Sequence, residues 1–416
     1  MNSTWLRAGL AISATLAVSI AGPTTAQAQA PAAFQFALAN FGVNQGWQVN
    51  AHPRFLADIT GDGRADVVGM GNAGVYTAVA LGNGGFGPAQ FVLSGFGVNQ
   101  GWQVSAHPRF LADITGDGRA DVVGMGNAGV WTAIALGNGG FGPAQFVLSG
   151  FGVNQGWQVN AHPRFLADIT GDRRADIVGM GNAGVWTAVA LGNGGFGPAQ
   201  FVLSGFGVNQ SWQVSAHPRF LADITGDGRA DIVGMGNAGV WTAIALGNGG
   251  FGPAQFVLSG FGVNQGWQVT AHPRFLADIT GDRRADIVGM GNAGVWTAVA
   301  LGNGGFAPAQ FVLSGFGVNH GWQVNAHPRF LADITGDRRA DIVGMGNAGV
   351  YTAVALGNGG FGPAQFVLSN FGVNQGWQVN AHPRFLADIT GDRRDDIVGM
   401  GNAGVYTATA QGNGHF

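Results

Sequence analysis

The chain has 416 residues, 46% of them hydrophobic, a formal net charge of −3, and no cysteine, lysine or glutamate. The missing cysteine excludes a disulfide framework and any thiolate metal site. The slightly acidic balance argues against a nucleic-acid partner, which would select a basic face, while the apolar content is ample for a buried core.

Residues 1–30 differ from all that follows. Arg7 supplies a positive start, residues 8–21 form a short apolar run, and Ala26-Gln27-Ala28 and Ala28-Gln29-Ala30 fit the small-residue cleavage pattern of a secretory signal peptide. The run is too short to span a bilayer by itself. The expectation is export, extracellular or periplasmic, after cleavage near Ala28 or Ala30. No other segment is apolar enough to insert into a membrane.

From residue 31 onward the chain is one repeat. The string H-P-R-F-L-A-D-I-T-G-D begins at His52, His107, His162, His217, His272, His327 and His382, always 55 residues apart. Within the first unit, residues 55–59 form a short apolar run and residues 60–66 a turn. Residues 67–70 form a second run, closed by Gly71-Asn72-Ala73-Gly74. Residues 75–81 alternate as a third strand, and Gly82-Asn83-Gly84-Gly85 turns the chain into a fourth run at residues 90–93. Runs of β-branched and aromatic residues between Gly/Asn turns are strands, and no stretch carries a helical period. Seven units of four antiparallel strands predict an all-β, seven-bladed β-propeller over residues 31–416. The last unit lacks its fourth strand. Gln35, Phe36, Leu38 and Asn40 repeat Gln365, Phe366, Leu368 and Asn370 in register, so the first strand is expected to complete the last blade.

Alternating strand direction then sorts the connections onto two faces. One face receives the Asp-rich turn and the Gly82–Gly85 turn. The other receives the Gly71–Gly74 turn and the long inter-blade loop. On that second face each unit offers a tryptophan (Trp47, Trp102, Trp157, Trp212, Trp267, Trp322, Trp377), the histidine of the series above, and an arginine two residues later (Arg54, Arg109, Arg164, Arg219, Arg274, Arg329, Arg384). It adds a turn asparagine (Asn72, Asn127, Asn182, Asn237, Asn292, Asn347, Asn402) and a second aromatic (Tyr76, Trp131, Trp186, Trp241, Trp296, Tyr351, Tyr406). An aromatic ring can lie on the C–H face of a sugar while Asn, His and Arg hydrogen-bond its hydroxyls. These are the candidate carbohydrate-binding residues, with glycans on cell surfaces or glycoproteins as partners. The same residues also suit a second role, with tryptophan packing between blades and His-Pro-Arg orienting the incoming strand.

On the first face the motif reads Asp58-x-Thr60-x-Asp62-Gly63-Arg64-x-Asp66. Oxygen ligands in a tight glycine-containing loop are what Ca²⁺ takes. The three copies that keep the glycine name Asp58, Asp62, Asp66, Asp113, Asp117, Asp121, Asp223, Asp227 and Asp231 as candidate ligands. Against this, a threonine stands where a second carboxylate would, and Arg64 brings its own positive charge. In four copies the glycine is itself arginine (Arg173, Arg283, Arg338, Arg393). Both readings, calcium and a loop satisfied by its own N–H groups and arginine, stay open. Gly69-Met70-Gly71-Asn72-Ala73-Gly74 mimics a dinucleotide fingerprint but lacks the following helix and the acid about 20 residues on.

The segment Asp58 to Gly69 resembles FG-GAP/VCBS-type repeats. With Gly46-Trp47, His52-Pro53-Arg54, Ala73-Gly74-Val75-Tyr76 and Gly82-Asn83-Gly84 added, the unit resembles the Psathyrella velutina lectin family and is similar to the fucose-binding propeller lectins of Photorhabdus. That resemblance implies a seven-bladed propeller, sugar sites between neighbouring blades with N-acetylglucosamine-type or fucose-type ligands, and calcium in the Asp loops of some members. The expected function is a secreted, multivalent, non-catalytic lectin that requires no cofactor. The alternative is a calcium-stabilised, integrin-like adhesion propeller. Seven near-copies supply no asymmetric acid, base and nucleophile, so catalysis is not expected. The units differ at few positions, among them His320 for Gln, Ser211 for Gly and Asp395 for Ala.

Overall fold

A computed structural model describes residues 34–416; the signal-peptide reading of residues 1–30 lies outside them. Strand β1 is Gln35–Leu38, and the first blade is β2 (Arg54–Ala57), β3 (Asp66–Met70), β4 (Val75–Ala78) and β5 (Gln90–Leu93), antiparallel in that order. Five further blades repeat the pattern. The seventh has Arg384–Ala387, Asp396–Met400 and Val405–Ala408, and its fourth strand is β1, which runs antiparallel to Val405–Ala408. The chain is thus a closed seven-bladed β-propeller.

The apolar run of β3 is buried on both faces because each sheet lies between two others. Val67 packs with Val398, Met400 and Val405 of the seventh blade, while Val68, Met70 and Val75 pack with Val122, Ala133 and Phe141 of the second. Polar staples repeat at each junction. Thr77 Oγ1 donates to the Gly139 carbonyl of the next blade at 2.7 Å, and the amide of Ala120 donates to the Asp58 carbonyl at 2.8 Å. The seam between the last and first blades has the same bonds, Thr407 Oγ1 to Gly84 O and Ala65 N to Asp388 O, both 2.7 Å. The ring therefore closes with no weaker junction in its backbone.

Two strands differ from the sequence expectation by more than one residue at an end. The first begins at Arg54 and ends at Ala57, because Asp58 turns its carboxylate onto the loop that follows. The third stops at Ala78 rather than reaching Leu81. The Ala80 amide is taken by Asp66 Oδ1 at 2.8 Å, Ala80 keeps only an isolated bridge to Phe86, and Leu81 is exposed. The inter-blade loops also contain short 3₁₀ turns, Val43–Gln45 in the first, that were not expected.

Candidate functional site

The site is built on the inter-blade loop. Its 3₁₀ turn docks on the preceding blade, with Val43 N donating to Gly401 O and Asn44 N to Asn402 O at 3.1 and 2.9 Å. Gly46, at φ 84°, then reverses the chain and drops Trp47 onto β3. A Cβ on Gly69 would lie 2.6 Å from Trp47 Cη2, so the indole occupies the space a side chain there would need. That explains a glycine in mid-strand. Trp47 is only 6% exposed and forms the floor, wedged against Phe41 at 5.0 Å and edge-on to Tyr76 at 5.7 Å.

A short relay ends at the solvent. The amide of Gln48 donates to His52 Nδ1 at 3.0 Å. The proton of the neutral ring therefore sits on Nε2, which donates to Asn72 Oδ1 at 2.9 Å. Asn72 is exposed, and with its oxygen committed to His52 its NH₂ group is left to donate outward. All seven His–Asn pairs repeat this bond at 2.8–2.9 Å. Burial is the main reason His52 is held below the usual histidine range. The Asn72 hydrogen bond opposes that shift, and the positive charges of Arg54 and Arg109 add to it.

Asn40, Gln45, Gly46, Trp47, His52, Gly71, Asn72 and Tyr76 line a cleft of about 270 Å³. Its counterpart on the seventh blade has Trp377, His382, Asn402 and Tyr406. The structure thus brings together the tryptophan, histidine, asparagine and second aromatic of a unit, but not its arginine. Arg54 is 5% exposed and donates to the Phe41 carbonyl at 2.9 Å. That phenylalanine has φ 62° and is fully buried, so the arginine ties down a strained turn beneath the cleft. The same bond recurs from Arg109, Arg164, Arg219, Arg274, Arg329 and Arg384. Burial lowers the Arg54 guanidinium to about 10, still protonated at neutral pH.

Sequence reasoning missed three lining positions. Gln45 accepts from Gly42 N through Oε1 and donates to Ala403 O, bridging the junction; His320, which replaces this glutamine in one unit, pairs with Ser314 Oγ instead. Phe34 stacks on Tyr406 at 5.4 Å with planes 10° apart, where other blades have alanine. Asn40 and Asn370 are glycine in the other units, and that difference was the available signal.

On the opposite face the acidic loop satisfies itself. Asp58 Oδ1 accepts from Thr60 N and Gly61 N and its Oδ2 from Gly63 N, at 2.6–3.1 Å. Asp66 accepts from Ile59 N and Ala80 N. Asp62 takes the amide and guanidinium of Arg64, whose Nε–H reaches Ala80 O. Every carboxylate oxygen faces an N–H donor, and a guanidinium supplies the positive charge. Among the described residues no three acidic or histidine side chains are placed to hold a metal. This donor set does not fit calcium as it stands. Burial pushes Asp66 up to about 7, against the pull of its two N–H bonds.

The FG-GAP-like repeat family matches residues 58–123. No curated protein matches the chain. Among solved structures, a lectin of Agrocybe aegerita, described for its specific recognition of non-reducing terminal N-acetylglucosamine, is 44% identical, with 83% of this chain and 88% of that chain covered and a TM-score of 0.81. A rhamnogalacturonan lyase of Bacillus licheniformis is 12% identical over 87% of this chain and 72% of its own, with a TM-score of 0.44, too distant to carry an argument. Seven closed blades, the repeated Trp–His–Asn cleft and the first of these likenesses together show that the chain belongs to the Psathyrella velutina lectin-like family of seven-bladed β-propeller lectins.

Proposed function

We propose that the protein is a non-catalytic carbohydrate-binding lectin whose inter-blade clefts take terminal N-acetylglucosamine-type sugars. The observation that carries this reading is the 44% identity, over most of both chains, to a lectin that recognises that sugar. The cleft chemistry supports it. At about 270 Å³ it lies just under the usual range of roughly 300–1,000 Å³ for ligand pockets, a size for one sugar ring rather than a chain. It offers an aromatic wall and an amide donor fixed by the histidine relay, with no carboxylate. Repetition supplies avidity. A single site of millimolar Kd is worth only about −4 kcal/mol, whereas several sites engaged on one glycan-covered surface gain roughly 10²–10⁴ in apparent affinity.

The test is calorimetric titration of the folded protein with N-acetylglucosamine, glucose and fucose. Saturable binding with N-acetylglucosamine preferred is expected. Absence of binding to any of the three, with the far-UV spectrum intact, would falsify the reading.

A further inference from the structure

The seven junctions share a fold but not a donor set. In the first, Asn40 Oδ1 accepts the indole N–H of Trp47 at 3.1 Å and the Phe41 amide at 2.7 Å. In the seventh, Asn370 does the same for Trp377 and Phe371, at 3.3 and 2.8 Å. The other five junctions have glycine there: Gly95, Gly150, Gly205, Gly260 and Gly315. In those five the indole N–H has no acceptor among the described residues, nor is it sealed in the interior. Exposure follows the same division. Trp47 and Trp377 are 6% exposed, Trp157 and Trp322 9%, and the remaining three more.

Asn40 and Trp47 line the same cleft, so the N–H edge of the indole is the edge that faces it. An indole carries one N–H and donates once. Where Asn40 takes that bond, its oxygen stands where a ligand's acceptor would. Where glycine replaces it, the N–H and the outward NH₂ of the turn asparagine are both available to an oxygen of the ligand.

We propose that the ring carries two kinds of site. Five junctions give the bound sugar an indole N–H donor, and the two on either side of the seventh blade have that donor consumed by Asn40 and Asn370. This rests on the carbohydrate reading above and adds the residues that set which junctions bind best. The ligand feature read is an acceptor oxygen of the sugar, such as an acetamido carbonyl. One net hydrogen bond separates the classes, about a fivefold difference in Kd.

Reciprocal substitutions are available. A Cβ at Gly150 would lie 3.5 Å from Ala199 Cβ and 3.8 Å from Leu148 Cγ, ordinary contacts, and its backbone is outside the left-handed region. Gly150→Asn should therefore fold and tie down Trp157. Asn40→Gly with Asn370→Gly should release the other two.

The experiment uses the full chain labelled with ¹⁵N at tryptophan. Without sugar, the Trp47 and Trp377 indole protons should exchange more slowly than the five. On titration with N-acetylglucosamine, the indole resonances of Trp102, Trp157, Trp212, Trp267 and Trp322 should shift with midpoints about fivefold lower in sugar than those of Trp47 and Trp377. Gly150→Asn should raise the Trp157 midpoint about fivefold, and the double glycine variant should lower those of Trp47 and Trp377 by the same factor. Seven indoles sharing one midpoint, or a Gly150→Asn protein whose Trp157 midpoint is unchanged, overturn the two-class proposal and leave the lectin reading standing. No sugar binding by calorimetry overturns both.

Discussion

Asp395 stands where six other units have alanine. Its amide makes the ordinary inter-blade bond to Asp333 O at 2.7 Å. Its carboxylate accepts the Asp333 amide across the junction at 3.0 Å. Burial pushes this carboxyl up to about 7. The Asp333 and Asp388 carboxylates push the same way, and the backbone N–H groups oppose them. The unfolded chain ionises this group from about pH 3.8, whereas the folded chain holds the proton until about 7. Its full stability is therefore present below pH 3.8, falls as pH rises through that window, and is lowest above 7. At about 1.4 kcal/mol per pH unit the whole window is worth roughly 4 kcal/mol. Asp395 keeps some solvent contact, which screens part of this, so about 2–4 kcal/mol is expected. Asp395→Ala restores the residue the other blades use and opens no cavity. Denaturant melts at pH 4 and pH 8 separate the effect from the seven Asp66-type carboxyls, which both proteins share. The variant should match the parent at pH 4 and exceed it by about 2–4 kcal/mol at pH 8. An equal difference at both pH values, or a loss at pH 8, refutes the argument.

Four copies place arginine at φ 69° where three have glycine; replacing Arg173, Arg283, Arg338 and Arg393 by glycine should stabilise by about 1 kcal/mol each, read as a raised denaturation midpoint. Because each acidic loop is closed by its own arginine, EDTA should leave Tm unchanged in calorimetry, and added calcium should not raise it. The His52 relay needs a neutral ring, since Nδ1 accepts an amide proton. Sugar binding at the His52 cleft should hold above pH 6.5 and weaken in acid as pH falls through the lowered pKa of that histidine, while the same cleft in His52→Phe should be weak at every pH. Thr187→Val, which removes the 2.7 Å bond to Gly249 O without changing shape, should cost about 1–2 kcal/mol in a chemical melt.

The fold was legible because the repeat is strict. A 55-residue period, alternating strands and a missing last strand matched by residues 35–40 determine blade number, strand order and closure together. What stayed hidden was local. The reach of the third strand depends on Asp66 capturing the Ala80 amide, a contact 14 residues away that no alternation pattern announces. The arginine of His-Pro-Arg reads as a ligand donor beside its histidine. The structure, however, starts the strand only at Arg54 and leaves His52 in the loop before it. His52 ends in the cleft, and Arg54 ends beneath it on the Phe41 carbonyl.

Near-identity among the units directs attention to what they share, and the shared residues specify the blade rather than the differences between sites. Trp47, Gly69 and Phe41 must occur in every copy because the indole, the bare strand and the strained turn form one packed unit. The relay through His52 to Asn72 is equally invariant, since without it the exposed amide has no fixed orientation. Around the cleft, variation falls on groups that touch this unit from outside: Asn40 or glycine at the indole edge, tyrosine or tryptophan on the wall, Phe34 over Tyr406, His320 at one rim. A substitution there alters what a ligand meets without disturbing what holds the blade. In a ring of such repeats, differences in affinity among the junctions are therefore expected to follow these few peripheral positions and not the conserved Trp–His–Asn set.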